Sequence, residues 1–260
     1  MIQNQNISTV PASLRGLDQA THLDSLVLKQ HYVTTMFEII APRYNRFTQA
    51  FSFGMDAVWK KQLVELAEPY VTEKSRVLDL ACGTGDLAFA FARLVPRGHV
   101  LGIDAAPTMI DLAKSTATTN AVQHVDFAVG DLTLLELPDD SQDLVSMGYG
   151  LRNVPVLRTA LREVHRVLRP GGIFVNLDFT RPDEFWWRVL YLRYLLIMGN
   201  VYGALWHRDP AVYGYIARSI ERFISWQQLT AELQASGFEV LETRTKLRGG
   251  VCLHLARKPL

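Results

Sequence analysis

The sequence predicts an α/β fold built on a doubly wound, mostly parallel sheet. Three observations point to it. Strand-like and helix-like segments alternate from residue 76 onward, a Gly-x-Gly turn follows the first strand-like run, and Asp79, Asp104 and Asp131 stand at the ends of three successive strands. In such sheets ligands bind beyond the carboxyl ends of the strands, where strand order reverses. The loops after Ala81, Ile103, Val129 and Met147 are therefore expected to share one cleft.

The elements follow in order. Residues 76–81, Arg-Val-Leu-Asp-Leu-Ala, are a short apolar run of the kind a buried parallel strand requires. Gly83-Thr84-Gly85 breaks it, and residues 86–94 carry Leu87, Phe91 and Leu94 at helical spacing. Residues 99–103 read as a second strand. A helix over 107–115 opens on Pro107, whose missing N–H has no helical partner there anyway. Residues 125–129 and 144–147 are the third and fourth strands, followed by a helix over 156–168. Arg169-Pro-Gly-Gly172 reads as a stop and turn before a fifth strand over 173–179. A helix over 226–236 stops at Gly237, which can take the left-handed cap conformation. Two last strands, 238–245 and 251–256, flank Gly249-Gly250, which favours an antiparallel hairpin. Segments 25–70 and 181–225 fall outside the alternation and are placed to cover the cleft. Residues 1–24 read as a flexible, polar N-terminal arm, with 25–260 as one domain.

Composition excludes several classes. The chain has 260 residues, 48% hydrophobic and 20% charged, too apolar for a disordered tail. Lys and Arg total 27 against 26 Asp and Glu, which leaves no basic excess for a nucleic-acid groove. Two cysteines, Cys82 and Cys252, exclude a disulfide framework, so a reducing cytoplasm is the expected compartment. No His/Cys/Asp/Glu spacing reads as a metal site. Residues 186–205 are strongly apolar, but Arg188, Arg193, Gly199, Asn200 and Gly203 argue against a bilayer span.

Asp79-Leu-Ala-Cys-Gly83-Thr84-Gly85-Asp86 carries the strongest chemical signal. Gly83 and Gly85 let a ligand approach the backbone and turn it into a helix N-terminus. With Ala88 they also satisfy G-x-G-x-x-G/A, which keeps a dinucleotide open. The carboxylates of Asp79 and Asp86 would repel a pyrophosphate and attract a cationic ligand bearing an α-amino group or a sulfonium. Asp104 is placed to accept from two ribose hydroxyls, and Asp131 from an exocyclic adenine amine. All three strand-end aspartates are also common as turn formers or helix caps.

This loop resembles that of S-adenosylmethionine-dependent methyltransferases. Ile40-Ala-Pro-Arg-Tyr44, Ser52-Phe-Gly-Met-Asp56 before Trp59, Gly150-Leu-Arg-Asn-Val154, Arg166-Val-Leu-Arg-Pro-Gly-Gly172 and Ser219-Ile220 narrow the resemblance to the ubiquinone/menaquinone C-methyltransferase family, over residues 29–259. The resemblance implies a seven-stranded Rossmann-like methyltransferase sheet with an antiparallel last strand and a helical cover. It implies methyl transfer from S-adenosyl-L-methionine to a ring carbon of a polyprenylated benzoquinol or naphthoquinol. Cofactor contacts are then expected at Asp79, Gly83, Thr84, Gly85, Asp104, Asp131, Leu132 and Gly148. The chain departs from the family pattern at Asn45, Thr48, Gly148, Val156, Ile224 and Leu177-Asp-Phe-Thr180. Asn45, Thr48 and Gly148 fall on the expected walls, so these departures bear on the particular quinone more than on the reaction class.

An aromatic carbon becomes a good nucleophile when a neighbouring hydroxyl loses its proton, and a phenol titrates near pH ~10. Arg152 is the candidate to stabilise the phenolate, either directly or through water; it is otherwise a salt bridge that holds its loop. Asn153 is placed to orient the same hydroxyl. Tyr44 is placed to bond or stack on the ring, or else to pack in the core. Asp178 is expected to cap or to pair with Arg181, His165 to sit at the surface, and His207 is the histidine to weigh as a base. Residues 185–205, with Trp186, Trp187, Tyr191 and Tyr194, suit a membrane interface or an isoprenoid tunnel, but equally a core helix or a homodimer face. A peripheral position on the inner face of the cytoplasmic membrane follows from the first of these. Rival readings are a methyltransferase of another small aromatic acceptor, an NAD-dependent oxidoreductase using Gly83 and Gly85, and a non-catalytic scaffold.

Overall fold

The structure is a computed structural model and describes residues 26–260; the arm expected over 1–24 lies outside them. The strands are β1 (Arg76–Leu80), β2 (His99–Asp104), β3 (Val125–Val129), β4 (Gln142–Gly148), β5 (Leu168–Phe179), β6 (Glu239–Lys246) and β7 (Val251–Arg257). They form one seven-stranded sheet in the order β3-β2-β1-β4-β5-β7-β6. β1 to β5 run parallel, and β7 is antiparallel to both of its neighbours. Strand order reverses between β1 and β4, which is where the loops of a doubly wound sheet open a crevice.

The central strands β1 and β4 are buried on both faces, so their sequences are runs of apolar residues, whereas the edge strand β3 alternates. One face packs on α3 (Met55–Ala67), α4 (Asp86–Ala92) and α5 (Pro107–Thr119), through Trp59, Leu63, Phe91 and Ile110. The other packs on α6 (Leu157–Val167) and α9 (Trp226–Ala235), through Leu161, Val164, Leu229 and Phe174. α9 begins in a reciprocal cap between Ser225 and Gln228.

A third apolar cluster lies outside the sheet. It joins α1 (Leu26–Ile40), α2 (Tyr44–Phe51), α7 (Phe185–His207) and α8 (Ala211–Arg222), which form the cover. The aromatic segment is one continuous 23-residue helix, unbroken at Gly199, Asn200 and Gly203. Its glycines face α8. A Cβ at Gly199 would lie 2.7 Å from the Tyr213 carbonyl oxygen, and one at Gly203 2.6 Å from that of Asp209. By length and composition α7 is long and apolar enough to cross a membrane, the two arginines notwithstanding, but one face is committed to this hairpin.

The expected turn at 169–172 is absent as such. β5 starts at Leu168 and runs through it, and the pairing shifts from Gln142↔Leu168 to Leu144↔Ile173. Arg169-Pro-Gly-Gly172 is accommodated as a bulge, with Gly171 at φ +75° and its N–H donating to the Lys258 carbonyl at 2.9 Å.

Candidate active site

The loop after β1 sets the geometry. Gly83 has φ +54° and Gly85 φ +90°, so the chain reverses tightly and enters α4 at Asp86. Any side chain at Gly85 would strike Phe89 and Phe127, 2.8 and 2.9 Å from an added Cβ. Asp104 at the end of β2 fixes this loop: Oδ2 accepts from Gly83 N–H at 2.8 Å and Oδ1 from Ala106 N–H at 2.9 Å. Burial raises its pKa, and these backbone donors offset part of the rise. Thr84 Oγ1 donates to Asn45 Oδ1 at 2.9 Å, tying the loop to α2.

Beyond the strand ends lies a cavity of about 740 Å³ including its mouth. Gly83, Asp104, Asp131, Leu132 and Gly148 line it from the sheet side, and Gln30 and Phe37 from α1. The loops of four strands thus share one cleft. Burial alone would raise the Asp131 carboxyl, but donors from Thr133 N–H, Thr133 Oγ1 and Gln30 Nε2 hold it below its ordinary value. A smaller recess opens beside Gly83 and Thr84, with Asp79, Lys60 and Asp86 in its wall. There Asp79 Oδ1 accepts from Ser146 Oγ at 2.6 Å, while its buried Oδ2 makes no hydrogen bond. Burial pushes the Asp79 pKa up to about 7; Ser146 and the Ala88 N–H counteract only part of this. Asp86 is not a free charge, since Lys60 Nζ lies 2.8 Å from both its Oδ2 and that of Asp56.

A second cavity, about 550 Å³ including its mouth, lies under the cover and is walled by Phe47, Phe51, Phe179, Tyr213 and Tyr215. Phe37, Tyr44 and Tyr149 belong to both cavities, and Tyr44 also borders the Asp79 recess.

Arg152 lines the second cavity and is 6% exposed. Its Nη1 donates to Asp178 Oδ1 and to the Tyr149 carbonyl, each at 2.8 Å, and its buried Nε has no partner. Asp178 therefore pairs with Arg152 and not with Arg181, whose backbone N–H goes to Ile224. The guanidinium sits 5.3 Å from the Phe179 ring centroid. Asn153 borders the first cavity with its amide engaged on both sides, by the Tyr149 carbonyl at 3.0 Å and the Tyr215 hydroxyl at 2.9 Å. His207 shares a hydrogen bond with the Tyr213 hydroxyl, and His165 packs edge-on against Phe238. Lys29 Nζ donates to the carbonyls of Arg152 and Val154, and burial, with Arg152 nearby, lowers its pKa to about 8.

Sequence reasoning missed Lys60, Ser146, Tyr149 and Asp56. Asp56 and Lys60 stand four apart on one helix face, a spacing that signals a pair. Their meeting with Asp86 has no local signal.

The cavity suits a ligand that carries a cation and a ribose. Asp79 Oδ2 is a buried acceptor with no donor, Asp104 offers a lone pair on each oxygen beyond its backbone bonds, and the loop backbone is bare at Gly83.

Comparison with known proteins is consistent with this geometry. The ubiE/COQ5 methyltransferase family matches residues 25–258. A demethylmenaquinone methyltransferase of Geobacillus stearothermophilus is 32% identical over 231 residues, 88% of this chain and 98% of the relative. One of Lactiplantibacillus plantarum is 33% identical over 230 residues, 88% of this chain and 96% of the relative. Among solved structures, an S-adenosylmethionine-dependent methyltransferase of Methanosarcina mazei shares the fold, with a TM-score of 0.56 and 24% identity over 74% of this chain and 96% of that one.

Proposed function

The chain belongs to the ubiE/COQ5 methyltransferase family, and from that premise we propose that it methylates a ring carbon of a polyprenylated quinol, of the demethylmenaquinol type or its benzoquinol counterpart. It is an S-adenosylmethionine-dependent methyltransferase of quinone biosynthesis. Asp79, the Gly83–Gly85 backbone with Thr84, Asp104, and Asp131 with Leu132 and Gly148 would hold the cofactor. When bound, the cofactor supplies an electrophilic methyl group on a sulfonium. The observation that carries the acceptor reading is the junction: an aromatic-walled cavity meets the cofactor cavity at Tyr44 and Tyr149.

The protein's own residues then have four tasks. The aromatic walls orient a flat ring and exclude water from it. Arg152, with Nε free, stabilises negative charge on a ring hydroxyl. Lowering a phenol pKa by two units there corresponds to about 2.7 kcal/mol. Asn153 holds Tyr215 against the loop, and Tyr44 separates donor from acceptor. A cell lacking the protein is expected to accumulate a quinone lighter by one methyl group in a mass-spectrometric profile. An unchanged profile, with no turnover of a prenylated quinol by the purified protein, would overturn the assignment. Equal turnover of tail-free phenols would favour another aromatic acceptor.

We place the protein in the cytoplasm, held to the inner face of the membrane by α7. Trp186, Leu190, Tyr194, Ile197, Val201 and Leu205 are all exposed and recur every three or four residues, which makes one apolar stripe along the helix. At about 1.5 Å per residue it extends over roughly 30 Å. Each such side chain contributes about 1.5–3 kcal/mol on burial. Leu190→Asp/Ile197→Asp is expected to weaken co-sedimentation with phosphatidylglycerol vesicles at least about 100-fold, with turnover of a tail-free quinol unchanged. Vesicle binding by the variant equal to wild type would exclude the stripe. A stable dimer that the variant dissociates would assign it to a homodimer face instead.

A further inference from the structure

We propose that Asp56 is the base that takes the proton of the acceptor's hydroxyl, and that Lys60 is the positioning residue that holds and aims its carboxylate. The assignment rests on reading the aromatic-walled cavity as the acceptor site.

Asp56 is the second residue of α3, just past Gly54 at φ +77°. Ser52 Oγ accepts from its backbone N–H at 3.2 Å and fixes the helix entry. The side chain is buried, 8% exposed, on the wall of the same cavity as Arg152, Tyr149 and Phe179. Its two oxygens differ. Oδ2 is held 2.8 Å from Lys60 Nζ, which Asp86 steadies from the other side at the same distance. Burial alone would lower the Lys60 pKa, but the two carboxylates outweigh it and raise it, so the clamp stays charged. Oδ1 is buried without any hydrogen bond.

A carboxylate oxygen without a donor in an apolar wall is costly to bury. An ionised carboxylate can only accept, so the group that Oδ1 suits is an O–H or N–H on whatever fills the cavity. Tyr149 stands beside it as a phenol kept protonated by burial and by this same carboxylate, to which its hydroxyl can donate until a ligand takes that place, and so is itself unsuited to act as the base. In the proposed acceptor the donor is the ring hydroxyl.

The step balances as follows. The hydroxyl O–H bond breaks and its proton passes to Asp56 Oδ1. The O–H pair becomes a carbonyl π bond while a ring π pair forms the new bond to the methyl carbon, and the methyl–sulfur pair stays on sulfur in a neutral thioether. The methylated ring carbon then loses its hydrogen to water as a proton, which restores the ring. The oxygen recovers its proton from Asp56, and one proton is released in all. Arg152, on the same wall, stabilises the charge that builds on that oxygen before the carbonyl forms.

The test compares 1-naphthol with 1-methoxynaphthalene, a donor and its capped ether, as ligands of the full chain saturated with S-adenosylhomocysteine. Wild type is expected to bind the naphthol at least about tenfold more tightly. In Asp56→Asn, Lys60 takes the amide oxygen and turns the NH2 donor into the cavity, so the preference falls to within about twofold. Affinity for the ether does not fall, and kcat on a quinol falls about 100-fold. Equal affinities in wild type, which require no variant, or a retained preference and rate in Asp56→Asn, would overturn the role of Asp56 while leaving quinol methylation intact. If neither naphthalene competes with the quinol and wild type methylates no quinol, the acceptor-site reading itself fails.

Discussion

Arg152→Met is expected to destabilise the protein by about 3–5 kcal/mol, measured by urea unfolding, because it strands a buried carboxylate. Asp178 is fully buried and Arg152 nearly so, with Nη1 and Oδ1 2.8 Å apart. Asp178 Oδ2 also accepts from the Arg152 backbone N–H at 3.1 Å, and Oδ1 from that of Phe179 at 2.8 Å, so the carboxylate cannot move to water when its partner goes. Burial already pushes the Asp178 pKa up against the pull of the guanidinium. Without Arg152 the group takes up a proton instead. The same variant should lower kcat on a quinol by about 100-fold, since two pKa units of phenolate stabilisation are lost. Arg152→Met/Asp178→Asn separates the two roles: it should recover most of the stability and none of the rate. Recovery of both would reduce Arg152 to a brace for its loop, and an unaltered urea midpoint in the single variant would contradict the buried pair.

Binding of S-adenosylhomocysteine is expected to weaken about tenfold per pH unit below pH 7 and to be flat above it. Asp79 sets this profile. Burial raises its pKa to about 7 in the free protein, and a ligand ammonium at Oδ2 requires the ionised form. Below pH 7 the carboxyl is protonated and must release that proton for the ligand to bind. Calorimetry near pH 6 in buffers of different ionisation enthalpy should therefore register up to one proton released. Asp79→Asn should raise the Kd by about 10- to 150-fold, the worth of a charged hydrogen bond of about 1.5–3 kcal/mol, and abolish the pH dependence. The linkage to folding has the corresponding sign. The folded pKa exceeds the unfolded value near ~4, so stability from this group is complete below that value and is lost as pH rises through 7. Ligand should accordingly raise the Tm more at pH 8 than at pH 6. A Kd constant from pH 5.5 to pH 8 would remove Asp79 from the site.

Much of this arrangement is legible in the residues. A strand buried on both faces must be an apolar run, as 76–81 is on β1, and the segments at 99–103 and 125–129 fall on β2 and β3. Asp79, Gly83, Thr84, Asp104, Asp131, Leu132 and Gly148 border the cavity and its recess because parallel topology gathers carboxyl-terminal loops at one edge, whereas Gly85 lines neither and serves the turn into α4. The failures have physical causes. Arg169-Pro-Gly-Gly172 has the chemistry of a turn, and only pairing with β4 and the Lys258 segment reveals a bulge. Gly199 and Gly203 read as interruptions until α8 is seen against them. Sequence proximity suits Asp178 to a cap or to Arg181, whereas the β4–β5 pairing brings it beside the loop that carries Arg152. The meeting of Asp56, Lys60 and Asp86 joins α3 to the cofactor loop, a long-range contact that no local pattern encodes.

The position of β7 has a consequence for the order in which the molecule is assembled. It lies between β5 and β6, and β6 pairs with β7 alone. β6 and β7, joined through residues 247–250, can pair as a local hairpin, and docking of β7 on the distant β5 is the non-local step of the slow kind. The docked strand also backs Asp178 and Phe179, which it meets through Cys252 and Val251. An incompletely zipped intermediate therefore lacks a finished seat for Arg152, and only the completed protein can be rescued by its ligands.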